Sequence, residues 1–171
     1  MRSTLKLLPS LILVGGLMSA CDNDSSEEAR EKKMEDYAKS LGVDADVDYS
    51  AEEGVTSVTV NNDAGVTAQV GADVGLPSDF PDDIALYPQM KIVVSSKVPQ
   101  GYVVQAQTPD NVDKVAAFYA AEMAAKGWTQ KEEAKTGTIR ALTFAKAGRN
   151  ANVSLMGGDQ GTTVQLSTFA G

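Results

Sequence analysis

The chain reads as an α+β protein: an antiparallel sheet with one long helix packed on one face, in the order β-β-α-β-β-β-β, preceded by a helix and a β-hairpin. Three observations predict this. Short runs of alternating apolar and polar residues recur from Lys91 to Phe169. One run of helix formers, 110–126, interrupts them with an apolar repeat at helical spacing. Glycine-bearing turns separate the late runs. Period two, period 3.6 and turn chemistry therefore agree on one layer of strands beneath one helix.

Residues 1–20 read as an export signal. Arg2 and Lys6 give a positive start, Leu7 to Met18 is a short apolar stretch, and the small residues Ser19 and Ala20 follow. A helix spanning a bilayer needs about 20 apolar residues, more than this stretch holds. Met18-Ser19-Ala20-Cys21 resembles a bacterial lipobox. That resemblance implies cleavage before Cys21 and a lipid on its thiol, leaving residues 21–26 as a tether to the membrane. Asp22 follows the anchor, which resembles the inner-membrane retention signal of enteric lipoproteins and slightly favours that membrane, with the outer membrane as the other choice.

Residues 27–72 are expected to hold the first helix and the hairpin. Glu27 to Leu41 is rich in helix formers, with Ser25 or Ser26 as cap and Gly42 as stop. Met34, Tyr37, Ala38 and Leu41 make one narrow apolar stripe, which needs a partner surface or else leaves the segment only partly helical. Asp44, Asp46 and Asp48 suggest a calcium loop, but Tyr49 and Val55 stand where an EF-hand has glycine and glutamate. The segment is better read as an acidic strand edge or linker. Gly54–Asn61 and Gly65–Gly71 form the hairpin.

Residues 73–86 are expected to be a Pro/Asp-rich linker with little to bury. The main domain is expected over 87–171. Its strands are Lys91–Ser96, Gly101–Thr108, Trp128–Ala134, Thr138–Lys146, Ala151–Met156 and Thr162–Phe169. Thr108 or Asp110 caps the helix, whose face of Val112, Val115, Ala116, Tyr119 and Met123 meets the sheet. Gly127 stops it, and Trp128 then enters the same core.

Composition narrows the function. The chain has 171 residues, no histidine and one cysteine, Cys21. Histidine-based catalysis, cysteine–histidine metal sites and internal disulfides are excluded. The net charge of −8 argues against nucleic acid as a partner. Charge is also divided: residues 22–83 carry 17 acidic and 4 basic side chains, residues 84–171 carry 6 and 9. No catalytic, cofactor-binding or metal-ligating set is assigned. Ser95-Ser96-Lys97 lies at a strand end, without the Ser-x-x-Lys helix geometry of a serine–lysine pair. Asp79, Asp82 and Asp83 sit in a proline-bounded loop that offers nothing to raise a carboxyl pKa. Gly157–Gly161 is a turn, since neither lysine nor helix follows it as a phosphate loop requires. The candidate partner-binding residues are Tyr102, Lys131, Lys135, Arg140 and Arg149.

Leu76-Pro-Ser-Asp-Phe-Pro81-Asp-Asp-Ile-Ala-Leu-Tyr87-Pro88 resembles a segment of an uncharacterised family of small bacterial lipoproteins and exported proteins. Phe118-Tyr119, Gly127-Trp128 and Gly161–Leu166 extend that resemblance over roughly residues 54–168, with Ala85 in place of a second proline. It implies no settled activity. One helix on an antiparallel sheet also resembles the helix-grip modules of outer-membrane assembly lipoproteins, a likeness of architecture alone. The expectation is a lipid-anchored, non-enzymatic envelope protein facing the periplasm, without cofactor, that binds an envelope protein partner. The alternatives are an inhibitor or envelope-stress module for one specific partner, or a small-ligand or glycan-binding domain.

Overall fold

The computed structural model describes residues 26–170 apart from 41–42, 51, 53, 63–64 and 73. The signal, Cys21, most of the tether, and the expected Leu41 and Gly42 of the first helix lie outside the described residues. Among the described residues, nine strands form one sheet in which every neighbouring pair is antiparallel. Helix α1 (Glu27–Ser40) is followed by β1 (Asp44–Ser50), β2 (Gly54–Asn61), β3 (Thr67–Gly71), β4 (Lys91–Val98) and β5 (Gly101–Thr108). Helix α2 (Val112–Ala125) then leads to β6 (Thr129–Thr136), β7 (Ile139–Lys146), β8 (Arg149–Gly158) and β9 (Gly161–Ala170).

The spatial order is β1-β2-β3-β4-β5-β9-β8-β7-β6. The chain meanders to the middle, crosses one face as α2, and drops to the far edge as β6. It then meanders back until β9 pairs with β5 along the whole length of β5. The architecture is thus α+β, with a long helix on an antiparallel sheet. Its order differs from the expected one at the N-terminal end. The acidic stretch Asp44–Ser50 is a strand, so three strands stand where a hairpin was expected. Pairing of β3 with β4 carries the same sheet across to the C-terminal strands.

Alternation explains the core. On β8, Ala151, Val153 and Leu155 are buried while Asn152 and Ser154 are exposed. Val164 and Leu166 of β9 and Leu142 and Phe144 of β7 join them on the face under α2. The helix returns Val115, Ala116, Tyr119 and Met123, all at 1% exposure or less. Fully burying one such side chain is worth about 1.5–3 kcal/mol, so this seam is the main stabilising contact.

Capping differs from the expectation. Asn111, not Thr108 or Asp110, is the N-cap, and its side chain accepts the Lys114 amide at 2.9 Å. Asp110 is occupied elsewhere: Tyr87 Oη donates to it at 2.6 Å and Lys114 Nζ at 2.8 Å. At the other end Gly127 takes φ +83, the left-handed region open to glycine. Its amide reaches the Ala124 carbonyl and that of Trp128 the Met123 carbonyl, both at 2.9 Å. This paired closure ends the helix and sends Trp128 back beneath it.

Residues 73–86 correct the expectation of little to bury. Ile84 and Ala85 are 3% and 2% exposed and belong to the core, with Tyr87 beside them and Phe80 and Met90 packed on it. The Phe80 and Tyr102 rings meet edge to face at 5.4 Å between centroids. Proline and aspartate make this segment irregular, but the apolar residues between them fill the space beside α2.

Candidate functional site

The expected site residues fall into separate places. Tyr102, on β5, is a fastener: its hydroxyl donates to the Asp79 carbonyl at 3.0 Å. Asp79 in turn holds Lys97, and this ion pair raises the ammonium pKa and lowers that of the carboxyl. Lys97 shares a sheet face with Ser95, two residues away, whose Oγ is buried without a hydrogen-bond partner among the described residues. A lysine held as an ammonium cannot take a proton from serine, so this pair lacks a base.

At one end of the β6–β7 hairpin, Arg149 and Lys146 converge on Asp83. Lys146 Nζ lies 2.7 Å from one carboxylate oxygen, and the Arg149 guanidinium makes a two-pronged pair with both. Both cations also lie over the Trp128 ring, at 5.0 Å for Arg149 and 5.9 Å for Lys146. The Arg149 hydrogen bonds, then those of Lys146, hold the Asp83 carboxyl at about 2, against the opposing effect of burial. Lys131 lies exposed beside this end, lining a shallow depression with Lys146 and Arg149. The three loop aspartates are therefore not a carboxylate pair. Asp79 and Asp83 have different basic partners, and the Asp82 carbonyl receives Lys126 Nζ at 2.7 Å.

At the opposite end of the same hairpin, Lys135 and Arg140 both reach Asp113 in the first turn of α2, each at 3.4 Å. Arg140 also lies 3.4 Å from Glu133. They border an open groove of about 640 Å³ lined by Val112, Ile139, Thr138 and the glycines of the β8–β9 turn. That turn packs tightly, since a Cβ at Gly161 would stand 2.1 Å from the Thr108 carbonyl oxygen. Among the described residues, no group of three or more acidic or thiol side chains is placed to hold a metal ion.

A third place was not singled out from sequence. Helix α1 lies along the outer edge of β1. Glu31 accepts the Tyr49 amide at 2.9 Å and Glu35 that of Val47 at 3.4 Å. One helical turn separates the two glutamates, and two residues separate the two outward amides, so the spacings match. Arg30 lies over the Tyr49 ring at 5.2 Å and donates to its hydroxyl. Of the expected apolar stripe, Met34 and Tyr37 are 37% and 49% exposed and Ala38 is half-buried, while Leu41 lies outside the described residues. The signal in the sequence was the Glu31/Glu35 spacing beside an alternating strand. It becomes legible only once Asp44–Ser50 is known to be an edge.

No helix among the described residues is long and apolar enough to cross a membrane. Neither the curated proteins nor the solved structures gave a match to this chain. A family model described as START domain-like matches residues 88–166, from the turn before β4, through α2, into β9.

Proposed function

We propose that this chain is a lipid-anchored protein of the bacterial cell envelope, carried on Cys21 and facing the periplasm, whose folded part binds another envelope protein without catalysing a reaction. The observation that carries the binding reading is the filled interior. Tyr119, Phe144, Met123, Leu142 and Leu155 occupy the space between α2 and the sheet at 1% exposure or less. What the protein binds, it therefore binds on its outside. The resemblance of Leu76–Pro88 to a lipoprotein family and the lipobox-like Met18–Cys21 support the location. Crosslinking of the full chain in intact cells, followed by mass spectrometry, tests the reading. One recurrent envelope protein is expected, and its absence from repeated captures sinks it.

A second reading has its own support. The START domain-like match suggests a ligand-binding fold, and the groove at the start of α2 offers apolar Val112 and Ile139 beside Arg140. A small anionic or glycan ligand there would remain attached in native mass spectrometry and be lost in Arg140→Ala.

A further inference from the structure

We propose that the outer edge of β1 is a docking site for an extended segment of a partner protein carrying lysine or arginine at alternate positions with apolar residues between, and that α1 is its removable cover. This deepens the protein-binding reading and rests on it.

An edge strand exposes main-chain donors and acceptors that another strand can pair with, and proteins guard such edges. The two edges of this sheet are guarded differently. β6 is exposed along its whole length and carries Lys131, Glu132, Glu133 and Lys135, charges that discourage pairing. β1 is instead covered by α1, whose side chains stand in for a missing strand at the Val47 and Tyr49 amides. The cover is lightly held. No residue of α1 is itself buried; the apolar footing beneath it is Val47 of β1, 6% exposed, and the two glutamates and Arg30 supply its polar hold.

The chemistry of β1 defines the occupant. Asp44, Asp46 and Asp48 point to one face and Ala45, Val47 and Tyr49 to the other. A strand laid alongside places its own alternate residues beside these. Opposite charges directly across a strand pair stabilise it and like charges destabilise it. A basic–apolar alternation fits both faces. A second copy fits poorly, because keeping both apolar faces on one side puts aspartate beside aspartate.

The test uses the full chain in mild detergent, titrated with a short capped peptide alternating lysine and valine, and with its glutamate–valine counterpart. The lysine peptide is expected to bind and the glutamate peptide not to. In E31A/E35A the amides of Val47 and Tyr49 should exchange faster, and the lysine peptide should bind about tenfold tighter and restore their protection, since the cover no longer competes. In D44N/D46N/D48N the affinity should fall about tenfold and lose most of its salt dependence. Circular dichroism of each variant checks folding, and the parent chain with the two peptides gives the answer without any substitution. Binding of neither peptide, binding without protection at Val47 and Tyr49, or self-association of E31A/E35A through β1 would overturn the proposal. Capture of an envelope protein through residues away from β1 would overturn it too, while leaving the broader protein-binding reading standing.

Discussion

The indole N–H of Trp128 donates to the main-chain carbonyl of Asp83 at 2.7 Å, tying the strand that leaves α2 to a loop 45 residues earlier. The same loop residue grips Arg149 and Lys146, and both cations lie over the indole ring. Backbone, carboxylate and ring thus form one clasp holding residues 76–88 against the sheet.

Trp128 is 3% exposed within this clasp and the core. Trp128→Ala is expected to cost about 3–5 kcal/mol, the range for deleting a large buried aromatic. Denaturant melts of the full chain check this. An unchanged midpoint would show that the ring is not part of the core.

Asp83 makes stability depend on pH with a definite sign. Its folded value of about 2 lies below the ordinary 3.8. The contribution is present in full above pH 4 and is lost as pH falls toward 2, amounting to about 2 kcal/mol. Asp83→Asn should be less stable at neutral pH and show a flatter acid limb over that window. Parallel acid limbs for both proteins would remove Asp83 from this role.

Gly127 permits the turn that puts Trp128 in place. Gly127→Ala forces a side chain into the left-handed region and is expected to cost about 1–2 kcal/mol, with the denaturant slope unchanged. The nearest side-chain atom lies 3.7 Å from the added Cβ, so the cost is conformational and not steric.

The anchor is tested by Cys21→Ser. The variant is expected to leave the membrane fraction for the soluble exported one, or to remain unprocessed. Detergent partitioning of C21S identical to that of the parent chain would remove the lipid from the proposal.

The sequence by itself determined the features that depend on near neighbours. Helix α2 was legible because Val115, Tyr119 and Met123 recur at helical spacing and Gly127 follows them. The late strands were legible because Leu142 and Phe144 alternate with Thr143 and Ala145, and Val164 and Leu166 with Gln165 and Ser167. Trp128 was expected in the core from its place just after the helix stop, and it lies there. What only the tertiary structure decided depends on partners distant in sequence. Asp83 looked like one solvated carboxylate among three until the fold brought Lys146 and Arg149 to it across 63 and 66 residues. Tyr102, Lys131, Lys135, Arg140 and Arg149 share polarity but not a place, because Tyr102 lies on β5, Lys131 and Arg149 lie at one end of the β6–β7 hairpin, and Lys135 and Arg140 lie at the other. Ile84 and Ala85 were hidden by the prolines and aspartates around them, since composition reports local stiffness and not what lies above the chain. The meaning of Glu31 and Glu35 depended on β1 ending the sheet. A strand's place in a sheet is set by long-range pairing, for which no window of sequence carries the periodicity.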